Sequence, residues 1–266
     1  MTRGSLTAEV VTTPPPRAHA PQTRIERLAL AATLIVLAWP RFQAWRHGYQ
    51  ILGDAAVISQ RAYNILGPGS PLLGMPSSLG DWSSAADPWH PGPAAFWLMA
   101  PTSRFPGGGP GALLGSYLLV AVFAWWIIRT AVAGSGPLAA PGAAAACTLT
   151  AGTWPSANPL LGVLPALALC FAVWSVLDGD RAAWPWLVAA WSIAVQADLA
   201  FLPTSAALLA VAVAKEIHGR RDADRRRWAK GELYPTVGLV AIFWALPLVD
   251  AIANQGGNLR ELEGCG

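Results

Sequence analysis

Residues 111–133 read GALLGSYLLVAVFAWWIIRTAVA, and this stretch decides the fold class. It carries a single charge, Arg129. At about 1.5 Å of rise per residue, a helix of this length crosses the roughly 30 Å hydrocarbon core of a bilayer. Working outward, similar runs give seven candidate spans, at roughly 27–46, 111–133, 138–153, 158–177, 183–197, 201–216 and 233–252. Only Ala197 to Ala200 separates the fifth run from the sixth, so those two can also be read as one interrupted hairpin. Residues 93–102 are apolar but too short to cross alone. They read as a re-entrant or interfacial helix, or as the first part of a broken span. Of the 266 residues 54% are apolar and 12% charged, against about 25% charged in ordinary globular domains. That excludes disorder for most of the chain and argues against a soluble enzyme. The expected fold is all-α, a polytopic transmembrane helix bundle over residues 25–253 with an outer loop, 48–110, bearing interfacial amphipathic helices.

The net charge of +3 would suit a nucleic-acid partner, but the basic residues sit between apolar runs, where they report topology. With the N-terminus in the cytoplasm, 13 Lys and Arg fall inside and five outside, namely Arg41, Arg46, Arg61, Arg104 and Arg260. The reverse orientation inverts that bias. The 218–232 loop carries most of it and reads as a topogenic cytoplasmic loop, with no nucleic acid bound. Residues 1–24, with Pro14-Pro15-Pro16, read as a disordered cytoplasmic tail rather than a signal peptide, and 254–266 as an outer tail. The expected location is the cell membrane, multi-pass, with the active face extracytoplasmic. Cys147, Cys170 and Cys265 are far apart, and no Cys/His spacing matches a zinc site.

In this topology the uncommon polar residues converge on the outer face. After Gly53, the residues Ala55, Ile58, Ala62, Ile65 and Leu66 recur at helical spacing, opposite Ser59, Arg61 and Asn64. An amphipathic interfacial helix is expected from about Ala55 to Leu66, ended by Gly67-Pro68. Asp54 stands at its start, either as an N-cap or as a general base held at the membrane surface. His90 is an acid/base or phosphate-contacting candidate, or an ordinary hydrogen-bonded interfacial residue. Asp81 and Asp87 are solvated loop charges, or with His90 near Asp54 could hold a divalent ion through oxygen ligands. No resident cofactor is otherwise expected. Gln196 and Asp198 stand at a span edge, where a carboxylate usually faces a cavity or a partner. Asp250 can pair with outer polar groups.

Several segments together resemble the membrane-embedded glycosyltransferases of the GT-C superfamily, in particular actinobacterial members related to arabinosyl- and mannosyltransferases. They are Gly53-Asp54, Ser70-Pro71-Leu72-Leu73-Gly74, and Trp89-His90-Pro91-Gly92-Pro93 with Phe96-Trp97. To these add Asn158-Pro159, Gln196 with Phe201 and Pro203, and Asn254-Gln255-Gly256-Gly257-Asn258-Leu259. The resemblance implies a polyprenyl-phosphate sugar as donor, a glycan or lipid of the cell envelope as acceptor, and Asp54 as catalytic base. It also suggests a substrate-binding set of Arg61, Asp87, His90, Asn158, Gln196 and Asp198. Asp198 stands where similar sequences carry histidine. Family members are usually longer, so the chain reads as an N-terminal fragment or a minimal module. Two other classes fit a polytopic chain. A transporter or flippase would place charges or broken helices near the bilayer midplane and usually show an inverted repeat, and none is found here. A non-catalytic, truncated scaffold would make no use of Asp54.

Overall fold

A computed structural model describes residues 22–68, 70–76, 89–105, 108–151, 158–219, 228 and 230–253. Residues 1–21 of the expected 1–24 tail, the 254–266 tail, Asp81, Asp87, and residues 220–227 and 229 of the basic 218–232 loop lie outside these residues, while Arg24 already belongs to the first helix. Among the described residues the architecture is all-helical, with one isolated antiparallel bridge, Pro76–Trp89. The helices are α1 Arg24–Arg46, α2 Asp54–Tyr63, α3 Ala94–Ser103, α4 Gly109–Ser135 and α5 Ala139–Ala151. They are followed by α6 Asn158–Leu177, α7 Trp184–Ala197, α8 Leu202–Gly219 and α9 Lys230–Ala253. Each apolar run of the sequence thus becomes one helix, within about three residues at its ends. Four segments are long and apolar enough to cross a membrane: α1, α4, Leu199–His218 and α9. The helices α5 and α7, of 13 and 14 residues, are shorter than a bilayer requires by themselves.

Contacts at the helix ends fix their directions. Glu26 at the start of α1 pairs with Arg129 late in α4 at 3.0 Å, while Arg41 reaches Ser116 early in α4. The two helices are therefore antiparallel. Arg41, within the first expected span, lies inside α1. It is buried between α1 and α4, donating also to the Leu37 carbonyl at 2.7 Å. Arg181, just before α7, meets Glu216 late in α8 at 2.8 Å. The fifth and sixth runs are thus two antiparallel helices reversing at Asp198, whose Oδ1 accepts from the Ala200 N–H at 2.9 Å. Trp184 at the start of α7 meets Trp228 just before α9, and Gln196 near the end of α7 bonds Phe243 late in α9, so α9 runs parallel to α7.

The bundle is stepped at the end where α4 begins and α7 finishes. Gly134 of α4 packs against the Trp174 ring of α6. From that level α4 continues for about 25 residues to Gly109, and α6 for only about 16 to Asn158. At ~1.5 Å per residue the α4 end therefore stands roughly 13 Å higher. The short helix α3 fills the step. Its start, Ala94, lies on Gln196 at the end of α7, and its last turn lies on Gly111 and Gly115 of α4. A Cβ at Gly111 would collide with the Thr102 carbonyl, so glycine is what lets these backbones approach. Seven of the ten α3 residues are buried, Phe96 and Met99 nearly completely, while Trp97, Leu98 and Pro101 are exposed. The exposed three are apolar as well, so a run too short to span has no polar face.

Candidate functional site

The helix α2 lies over α3 and presents Ala55, Ile58 and Ala62 to it. It is shorter than the Ala55–Leu66 expectation, ending at Tyr63. Arg104, just after α3, donates through Nη2 to the Ile65 carbonyl at 2.6 Å, satisfying a carbonyl beyond the last turn. Leu66 then takes a positive φ of 65°, which ends the helical path. Ser59, expected on the polar face, is buried with the apolar stripe. The cap expectation for Asp54 also changes: Gly53 is the N-cap, at φ 57°, and Asp54 is the first helical residue, exposed at the positive end of the helix dipole.

Arg61 is seven residues beyond Asp54, which returns it to the same stripe of α2 about 10 Å further along the axis. Its guanidinium lies 4.4 Å from the Trp89 ring centroid and 5.9 Å from that of Phe96, and donates to the Gly74 carbonyl at 3.2 Å. Burial lowers the Arg61 pKa, but a guanidinium stays charged. With Leu72, Leu73, Trp89 and Asp250, Arg61 lines a cleft of about 250 Å³. Its walls thus combine one cation, one carboxylate and apolar surface.

His90 follows Trp89 of the cleft wall on a short two-stranded contact. The Gly74 N–H donates to the His90 carbonyl at 2.9 Å, and the His90 N–H to the Met75 carbonyl at 2.8 Å. Its ring is buried, and Nδ1 accepts from the Leu199 N–H at 3.2 Å. An accepting Nδ1 requires the neutral ring with its proton on Nε2. Burial pushes the His90 pKa down, while the carboxylates of Asp198 and Asp54 pull it up more weakly.

Gln196 is buried, with both ends of its amide engaged by backbone. Oε1 accepts from the Ala94 N–H at 3.0 Å, and Nε2 donates to the Phe243 carbonyl at 2.8 Å. The first partner is an orphan donor at the start of α3. The second is a carbonyl that α9 cannot satisfy, because residue 247, four positions on, is proline.

The structure therefore gathers Asp54, Arg61, His90, Gln196 and Asp198 at one end of the bundle. Asn158 begins α6 at that end, but its side chain, like Asp87, lies outside the described residues. Among the described residues no three His, Cys, Asp or Glu side chains come together as a metal ion would require. The divalent-ion expectation rests on Asp81 and Asp87, which are not among them. Sequence reasoning gave too little weight to Asp250 and to the walls Leu72, Leu73 and Trp89. The available signal was a carboxylate three residues after a proline in the last turn of an apolar span. Compared with known proteins, the chain matches no family model, no curated protein and no solved structure.

Proposed function

We propose that this chain is a membrane-embedded glycosyltransferase of the GT-C type. In this reading it transfers a sugar from a polyprenyl-phosphate donor to a hydroxyl of a cell-envelope acceptor. In this topology the four segments of spanning length cross the membrane, the shorter helices between α4 and α8 traverse it packed against them, the N-terminus is cytoplasmic, and the stepped end of the bundle faces outward. The observation that carries the reading is the cleft. A lipid-linked sugar phosphate needs apolar surface for its chain and a fixed cation for its phosphate, and Leu72, Leu73, Trp89 and Arg61 supply both within about 250 Å³. A carboxylate on the same stripe of α2, about two helical turns from that cation, suits a sugar ring lying between them.

In the reaction, the acceptor oxygen forms a bond to the anomeric carbon as the bond to the phosphate oxygen breaks, inverting the centre. Asp54 takes the acceptor proton, and the carrier phosphate leaves with the bonding pair. Arg61, fixed between an aromatic face and a backbone carbonyl, stabilises the charge growing on that phosphate. His90 and Gln196 hold the surrounding backbone. The gathering of polar groups at one end, rather than at mid-depth, favours this reading over a transporter.

The test is sugar transfer from a panel of radiolabelled polyprenyl-phosphate donors by the purified chain in nanodiscs. Transfer by the wild type that is lost in Asp54→Asn, with folding intact, is the expected result. Equal transfer by both proteins would remove Asp54 as base. No transfer by folded wild type, beside an active polyprenyl-phosphate-dependent enzyme as positive control, would overturn the assignment.

A further inference from the structure

Gln196 joins two segments that are remote in sequence at a point where each lacks a backbone partner. Ala94 opens α3 with an N–H that no preceding turn can accept, and Phe243 carries the carbonyl that Pro247 leaves without its helical donor. The three segments are packed into one knot: a Cβ at Gly92 would strike both the Gln196 amide and the Pro247 ring. Beyond this knot α9 continues for less than two turns and delivers Asp250, buried, to the cleft opposite the α2 and loop residues. Leu248, Val249 and Ile252 are exposed, and the helix packs chiefly on α7.

We propose that Gln196 is a positioning residue: it latches α9 at its proline to the start of α3, and this latch sets where Asp250 stands relative to Arg61. The amide suits the task because it alone among side chains of this size offers an acceptor and a donor at one end. A hydrophobic residue of similar shape would fill the same space and hold neither backbone group. The terminal segment of α9 would then behave as an arm hinged at Pro247, and the cleft would open on that side. The inference deepens the transferase reading, since it concerns the same cleft, but it stands on geometry that can be read without any transfer assay.

The test is a spin-label distance measurement on the full chain in nanodiscs. Cys147, Cys170 and Cys265 are replaced by alanine, and labels are placed at Tyr63→Cys on α2 and Ile252→Cys on α9, both exposed positions. With Gln196 intact, one narrow distance distribution is expected. In Gln196→Met a second, longer-distance population should appear. Pro247→Ala perturbs the latch from the other partner: its new N–H takes the Phe243 carbonyl within α9, and it should shift the distribution as well. Should Gln196→Met not yield monodisperse protein, Pro247→Ala decides alone. Distributions unchanged from the wild type in the variants that fold would overturn the latch. A changed distribution in a chain that transfers no sugar would support the latch while removing the transferase assignment.

Discussion

Replacing His90 by leucine isolates one buried hydrogen bond. The Leu199 N–H donates to His90 Nδ1 at 3.2 Å, and both residues are buried, so no water replaces the lost acceptor. An unsatisfied buried amide costs about 1–3 kcal/mol, and His90→Leu should destabilise the protein by that amount. His90→Asn is the control, because its Oδ1 can occupy the place of Nδ1 and should recover most of the loss. The same bond gives a pH signature. The folded His90 pKa lies below the ordinary 6.5 because burial disfavours the imidazolium. Between 6.5 and that lowered value, the unfolded chain binds a proton that the folded chain does not. Stability is thus complete above about 6.5 and falls as the pH drops, by at most ~1.4 kcal/mol per pH unit, until the folded pKa is reached. The assay is thermal unfolding in nanodiscs at pH 7.5, 6.5 and 5.5 for the wild type and both variants. A leucine variant as stable as wild type, or an acid-induced loss persisting undiminished in both variants, would refute the reasoning.

Three further outcomes follow from particular contacts. Glu26 is almost fully buried against Arg129, so Glu26→Gln should cost about 3 kcal/mol by leaving a poorly matched cation, whereas Glu26→Leu with Arg129→Met should recover much of it in the same melts. Arg61→Lys keeps the charge but loses the planar group stacked on Trp89; donor KM should rise about tenfold, the equivalent of ~1.4 kcal/mol, and unchanged kinetics would count against the phosphate role. Gly111→Ala forces α3 off α4 at the Thr102 carbonyl and should lower stability by about 1–3 kcal/mol, with a larger effect than Gly142→Ala, where a Cβ meets open space.

The helices were legible in the sequence because length and apolar content are local properties. A run such as 158–177 must satisfy its own backbone in a low-dielectric medium, and a helix does so within the run. The structure returns α6 over Asn158–Leu177, the same bounds. The α2 expectation failed at its C-terminus because Arg104, some 40 residues away, supplies the contact at Ile65. Ser59 was misplaced because α2 packs on α3, α4 and α6 together, which buries a wider stripe than its apolar residues mark out. Sequence spacing placed Asp54 and Arg61 on one helix, and their common stripe follows from the helical period alone.

By itself, then, the sequence determined an all-helical chain of apolar runs, and the collection of its unusual polar residues near the ends of those runs. Tertiary structure alone decided what each of those residues does. Gln196 could have faced a substrate, but its amide closes on Ala94 and Phe243, 102 and 47 residues away. His90 accepts from an amide 109 residues on, and Asp250 reaches the cleft only because α9 lies along α7. The physical reason is one of range. Burial of an apolar stripe requires only a neighbour of any sequence, whereas a hydrogen bond requires one atom within about 3 Å, and packing of the whole bundle selects which atom that is.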